Sequence, residues 1–292
     1  MKKKIVFVLL PILILTFFFE ITFRYYGFGN PVLYNHNKGY YYLKPNQNIK
    51  RFKGSRVKIN RLGMRTNYYW EDVQNLEKII FFGDSVTFGG SYIDNKDLFS
   101  EKFCLEVKKS ICGNYGVNGF MIDNLNDQIN NKIKNIDFSH FIIVVSDSIT
   151  VGKSVFYDFP FYQQFQYKIF KATIEILNHI LFKYNVADNY HKTKIKDDNI
   201  SKNEINDFIK TLKELKKNKA KISIFILPTI ENLTNKNYSS HFLEDIKIKD
   251  VNIYNMYHEI KNLNFENLYF NNAHLNKKGH DYFSKMIYNK IK

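Results

Sequence analysis

A weak oxygen nucleophile becomes useful when a base can take its proton, and two short stretches of this sequence supply those two groups. Gly83-Asp84-Ser85 follows the uninterrupted apolar run Ile79-Ile80-Phe81-Phe82 and leads into Val86-Thr87-Phe88-Gly89-Gly90. Far downstream, His274 lies in Tyr269-Phe270-Asn271-Asn272-Ala273-His274-Leu275-Asn276. A serine whose proton an imidazole can take is a nucleophile, so the chemistry to test is nucleophilic catalysis. A plain reading competes with it: a Gly-rich turn after a strand is also a way to hold a phosphate. The stretch has neither the Gly-Lys-Ser/Thr ending of a nucleotide loop nor the G-x-G-x-x-G of a dinucleotide site.

Bringing these residues together requires a scaffold. Ile79 to Phe82 has no polar alternation, as expected of a strand buried on both faces of a parallel sheet. Its carboxyl end, where the chain must turn sharply, faces the crevice in which open α/β sheets bind ligands. From Glu77 onward, strands and helices alternate. Strands are predicted near 111–115, 141–145, 222–227 and 251–254, and helices over 97–110, 121–133, 165–184 and around 205–215. Asn276 is the predicted N-cap of a closing helix to Ile291. His280, one turn into that helix, is expected on its exposed face. The stretch 151–164 is expected to be irregular, and 186–201 to be a polar loop.

The first 26 residues have another purpose. Lys2, Lys3 and Lys4 precede an uncharged run from Ile5 to Phe19, and the apolar character continues past Glu20 to Phe23. As a helix this reaches about 28 Å, enough for a bilayer core. No small-residue cleavage site follows, so an uncleaved signal anchor is expected, with its lysines in the cytoplasm and the rest of the chain outside. Residues 27–76 differ again. Short strands near 39–43, 49–52 and 56–59 are separated by Pro, Asn and Gly turns, forming a β-rich spacer or cap before a main domain over 77–292.

At 292 residues, with 45% hydrophobic content, 27 Phe and 21 Tyr, the chain can bury a sizeable core. The formal charge of +15 comes from lysines scattered along the whole length. No nucleic-acid motif accompanies them, so anionic lipid or glycan is the expected partner rather than nucleic acid. Cys104 and Cys112 lack metal-ligand spacing. They are either a bridge from a helix to the next strand or two buried thiols. No metal or organic cofactor is implied.

Three blocks in order, G-D-S after the first strand, N-x-G-x-x-G over Asn114 to Gly119, and His274-Leu275-Asn276 with Gly279 before the closing helix, resemble the SGNH or GDSL hydrolases. The likeness spans Lys78 to the C-terminus. Gly27-Phe28-Gly29-Asn30-Pro31, Tyr42-Leu43-Lys44-Pro45-Asn46 and the 59–65 stretch also look like membrane-anchored bacterial members. The resemblance implies a flavodoxin-like three-layer α/β/α domain with a central parallel sheet. It implies Ser85 as nucleophile, His274 as base, and the N–H groups of Ser85 and Gly119 as oxyanion donors, with Asn114 and Gly116 shaping the second loop.

Two positions depart from the family. Where the third block offers Gly-x-Asn, this chain has Val144-Val145-Ser146-Asp147, leaving the Ser146 hydroxyl as the only replacement donor. Three residues before the histidine the family has Asp, and here stands Asn271. An amide can orient the ring through its carbonyl, but brings no charge to the imidazolium. Three outcomes follow: Asn271 suffices, Asp147 supplies the charge instead, or the fold survives as a binding module without catalysis. The expected substrate is an acyl ester (acetyl included) of envelope carbohydrate. A catalytically impaired module of polysaccharide assembly and a lipid-directed esterase are the alternatives.

Overall fold

The computed structural model describes residues 2–37, 40–51, 54–70, 73, 75–156, 168–183, 191–194, 202–217, 220–235 and 240–292. The chain opens with helix α1 (Lys2–Tyr26), then two antiparallel hairpins, β1 (Tyr34–Asn37) with β2 (Tyr40–Leu43) and β3 (Gln47–Lys50) with β4 (Arg56–Ile59). There follow β5 (Glu77–Gly83), α2 (Ser85–Phe88), α3 (Phe99–Glu106), β6 (Ser110–Gly116), α4 (Ile122–Asn131) and β7 (His140–Ser146). After β8 (Lys153–Phe156) come α5 (Lys168–Lys183), β9 (His191–Lys194), α6 (Lys202–Lys217) and β10 (Lys221–Leu227). The chain closes with α7 (Ile230–Thr234), β11 (Val251–Asn255), α8 (Tyr257–Ile260) and α9 (Lys277–Ile291).

Five strands form one parallel sheet in the order β11-β10-β7-β5-β6. Counted along the chain this is the doubly wound order 2-1-3-4-5, with its crevice where the first strand separates the second from the third. The central strand is apolar on both faces because both are covered. Ile80 and Phe82 face a core shared with Leu125 and Ile129 of α4 and Phe208 and Leu212 of α6. Ile79 and Phe81 face Phe99 and Phe103 of α3 and Phe283 and Ile287 of α9. The architecture is therefore the expected α/β/α three-layer fold, preceded by an apolar helix and a small antiparallel β segment.

That β segment is no loose tether. Tyr34, Tyr41, Leu43, Val57, Ile59, Met64 and Trp70 all belong to the core on the α4 and α6 face of the sheet. Arg65 joins it to the edge strand, its N–H donating to Asn114 O at 2.8 Å.

Three expectations need adjustment, and the alternative left open for the cysteines is decided. Residues 191–194 pair antiparallel with β8 as a strand rather than lying in a loop. Residues 153–156, within the stretch expected to be irregular, are its partner strand; the two form a small sheet of their own, and β9 (His-Lys-Thr-Lys) offers no hydrophobic alternation to read. The ends of the helix expected over 165–184, the stretch 157–164 and the rest of 186–201 lie outside the described residues. His280 is completely buried, not exposed. Its ring stacks on Phe99 and its Nδ1 accepts the Phe99 N–H at 3.2 Å, because α9 packs that side directly against α3. Cys104 and Cys112 form a disulfide, Cα to Cα 5.9 Å, linking α3 to β6.

Candidate active site

The turn after β5 is fixed by close packing. A Cβ on Gly83 would come within 1.8 Å of Val144 O on the neighbouring strand, and one on Gly116 within 2.1 Å of Phe88 N. Only glycine at both places lets α2 sit directly on the ends of β5, β6 and β7. Asp84 caps α2, its buried carboxylate accepting the N–H groups of Val86 (2.8 Å) and Ser146 (3.0 Å). Burial pushes this carboxyl up to about 6 against the pull of those donors. Ser85 is thus the first residue of a helix pinned to the end of β7. Asn114 adds a second brace, donating to Thr87 O at 2.6 Å and accepting from Gly116 N at 2.8 Å.

His274 is brought to Ser85 by a loop tied at several points. Tyr269 and Leu275 form an isolated antiparallel bridge, and Phe270 N donates to His274 O at 2.7 Å. Tyr92 OH donates to Leu275 O, and Asn276 caps α9 by accepting Gly279 N at 3.0 Å. The outcome is a contact between His274 Nε2 and Ser85 Oγ at 2.8 Å.

On the other side of the ring, Asn271 Oδ1 lies 2.9 Å from His274 Nδ1. Which end of an amide faces a ring is decided by its other bonds. Here the backbone N–H groups of Ala273 (3.2 Å) and His274 (3.0 Å) both point at the same Asn271 atom. Two donors require an acceptor, so the oxygen faces the ring. Nδ1 therefore carries the proton, and Nε2 presents its lone pair to the Ser85 hydroxyl. The amide selects the tautomer that a carboxylate would select. His274 is half-buried, and desolvation lowers its pKa below the ordinary imidazole value, leaving it neutral at pH 7.

Asp147 is elsewhere engaged. Its oxygens accept Thr229 N (3.1 Å) and Asn232 Nδ2 (2.7 Å) at the start of α7. From there α7 reaches the histidine loop, with Ile230 N donating to Asn272 O at 2.7 Å and Glu231 N to Asn272 Oδ1 at 2.9 Å. Asp147 thus touches the site only through two intervening layers. The structure does not bring Ser146 to the cleft either. Its hydroxyl is bonded to that of Ser148 at 2.7 Å and is buried.

The cleft holds about 420 Å³ and is lined by Ser85, Gly90, Ser91, Tyr92, Asn118, Gly119, Ser154, Asn271 and His274. The Ser85 N–H, at the first position of α2, has no intrahelical acceptor to reach. Gly119 has φ +77°, a conformation natural to glycine that exposes the Asn118–Gly119 peptide to the cleft. The carbonyl end of that peptide accepts from Tyr41 OH at 2.7 Å. Tyr41 is wholly buried, and its hydroxyl lies 3.0 Å from Ser154 Oγ, which in turn donates to Gly119 O. Sequence reasoning missed Tyr41, Asn118 and Ser154, since a Tyr in a short strand carries no signal of what its hydroxyl meets.

A serine hydroxyl bonded to an imidazole that a third group orients is an arrangement able to turn that serine into a nucleophile. No protein-family model matches the chain, and no curated protein matches it. Among solved structures it is similar to a lipolytic protein of the G-D-S-L family from Veillonella parvula, at 14% identity over 73% of this chain and 99% of that one, TM-score 0.40. It is also similar to a lipase/acylhydrolase from Enterococcus faecalis, at 12% identity over 74% and 95% of the two chains, TM-score 0.39. A third is an acetyl xylan esterase, at 12% identity over 74% and 100%, TM-score 0.42. At such TM-scores the likeness adds no weight to the chemistry, and the site is read from its own geometry.

Proposed function

We propose that this protein is a serine esterase or O-acyl transferase of the SGNH/GDSL type, anchored in the cytoplasmic membrane with its main domain outside. The observation that carries the reading is the 2.8 Å contact between Ser85 Oγ and a His274 held in the productive tautomer. In the first step Ser85 Oγ attacks the ester carbonyl carbon while His274 Nε2 takes the hydroxyl proton. The N–H groups of Ser85 and Gly119 receive the oxyanion. Collapse breaks the bond to the leaving alcohol, which His274 protonates, and leaves an acyl-serine. Water, or a second hydroxyl in the case of transfer, then attacks the acyl carbon with His274 again as base.

Asn271 orients the ring without neutralising the imidazolium, so turnover is expected to be slow. The third oxyanion donor of the family has no counterpart at Ser146, a further loss of about 10²–10³ in rate if nothing replaces it. These two features favour the second reading, a glycan-binding module of polysaccharide assembly that has kept the fold. The substrate proposed for the enzyme is an acyl ester of envelope carbohydrate, with a lipid ester as the competing choice. The location draws on α1, long and apolar enough to cross a membrane over Leu9–Tyr26, and on the Cys104–Cys112 bridge, which an oxidising compartment preserves. The domain limits proposed are 1–26, 27–76 and 77–292.

The test is turnover of p-nitrophenyl acetate and of an acetylated polysaccharide by the native chain and by Ser85→Ala. Release from both substrates by the native chain alone supports the enzyme. Binding of the polysaccharide by both proteins, with no release from either, favours the module.

A further inference from the structure

The junction between α1 and α5 fixes more than an anchor. Glu20, inside the apolar helix, accepts the Lys168 N–H at 3.0 Å and the Ile169 N–H at 2.6 Å, capping the first turn of α5. Glu20 lies six residues before the end of α1, about 9 Å along the helix axis. If Leu9–Tyr26 crosses the bilayer, the start of α5 is held at the depth of Glu20, below the level at which the chain leaves the membrane.

One face of α5 is occupied by protein. Glu175 takes Arg51 at 2.6 Å and Gly29 N at 2.9 Å, and the Gly29 turn backs onto Lys168 and Ala172. Phe170 and Leu177, two turns apart, point the other way and are 52% and 51% exposed. Large apolar side chains this open to water on a helix tied to an anchor have an obvious solvent. Arg24, Lys50, Lys168 and Lys171 sit around the same junction, Lys50 lying 5.2 Å from the Tyr25 ring centre. Cations placed there match anionic headgroups.

We infer that α5 is an interfacial helix whose Phe170–Leu177 face is embedded in the lipid bilayer. Together with α1 it fixes the catalytic domain against the membrane at two points rather than one. The inference rests on the anchor reading of α1 and not on the chemistry of Ser85. An amphipathic helix of this kind buries its apolar face about 5–10 Å into the boundary between headgroups and acyl chains.

The experiment uses the full chain in vesicles of phosphatidylcholine and phosphatidylglycerol carrying brominated acyl chains. Phe170→Trp and Leu177→Trp are each read as the difference from the native chain, whose single Trp70 is buried. Phe18→Trp reports on the anchor. The expected result is blue-shifted emission from positions 170 and 177, quenched more by bromines near the headgroup end of the chains than by those near the methyl end. Phe18→Trp is also quenched. Quenching at 18 with iodide-accessible emission at 170 and 177 overturns the inference and leaves the anchor standing. Blue-shifted emission at 170 and 177 that bromines do not quench, and that varies with protein density, assigns the face to protein contact and overturns it too. No quenching at 18 removes the anchor and the inference together.

Discussion

The two walls of the cleft are built in different ways. One wall is made of Ser85, at the first position of α2, and of His274 and Asn271 in the loop before α9, at the carboxyl edge of the sheet and bonded to one another. The other is the backbone at Asn118 and Gly119, where Tyr41 of the N-terminal β segment holds the Asn118 carbonyl and Ser154 of β8 holds the Gly119 carbonyl of the next peptide, hydroxyls from distant parts of the chain. In the proposed reaction the first wall carries the reacting groups, and the second carries a dipole that must be aimed. Reacting groups are specified by side-chain type, whereas aim is specified by whatever buried hydroxyl happens to meet the peptide.

If that division is right, damage to the first wall is severe and damage to the second is graded. Ser85→Ala removes the attacking oxygen, and kcat/KM for p-nitrophenyl acetate is expected to fall by about 10⁴–10⁶ with the fold intact by circular dichroism. Asn271→Asp sharpens the comparison in the other direction. A carboxylate beside Nδ1 stabilises the imidazolium, so the plateau of kcat/KM is expected to rise by roughly tenfold to a hundredfold. That is well short of the ~10⁴ associated with the reverse change in a serine protease, where the amide imposes the wrong tautomer. The pH profile checks the same point. His274, its pKa lowered by desolvation, gives an acid limb below the ordinary imidazole range, and Asn271→Asp moves that limb to higher pH.

On the second wall, Tyr41→Phe deletes one hydroxyl and leaves the ring in the core. The Asn118 carbonyl loses its donor, and the N–H at the other end of the same peptide loses both polarisation and aim. kcat is expected to fall by about tenfold with KM nearly unchanged, as for an interaction made mainly in the transition state. A parallel rise in KM would assign Tyr41 to the ground state instead. Asp147→Ala should cost only a few-fold, by loosening α7 behind Asn272. A loss approaching the ~10⁴ of a missing triad acid would make Asp147 the charge behind His274 and break the comparison.

The smallest effect concerns stability. His280 is held neutral in the core, its pKa pushed down to about 3, with burial the largest cause and the Arg65 charge next. A group that binds its proton less readily in the folded state than in the unfolded one lowers stability as pH falls below the unfolded value of about 6.5. The native chain should therefore lose stability relative to His280→Gln between about pH 6.5 and pH 3, measured by urea unfolding, and show no change in that difference above pH 7. Asp84, raised to about 6, runs the opposite way, its contribution fading as pH rises through that value. The paired comparison isolates His280 from it.

The sheet could be read from the sequence because its strands are buried on both faces: the runs Ile79–Phe82, Phe141–Val145 and Ile222–Leu227 admit little else. The candidate site residues Ser85, His274 and Asn271 were legible because they lie in two short motifs, one after the central strand and one before the closing helix. Asn271 was legible as a departure, but its amide orientation was not, since that depends on the Ala273 and His274 N–H groups folding back on it. The burial of His280 was hidden by a polar residue type in an amphipathic helix, and β8 with β9 by strands whose pairing is written in backbone bonds. Tyr41 could not have been found from spacing, because its partner lies 77 positions away.

The most direct measurement is to expose the full native chain to a fluorophosphonate, map the adduct by mass spectrometry and follow its rate with pH. A single adduct on Ser85, formed more slowly as pH falls below the imidazole range and absent from folded His274→Ala, is the result that a serine activated by this histidine predicts. A folded native chain that takes up no label, or takes it up on another residue, would mean that the contact at 2.8 Å has no chemistry behind it.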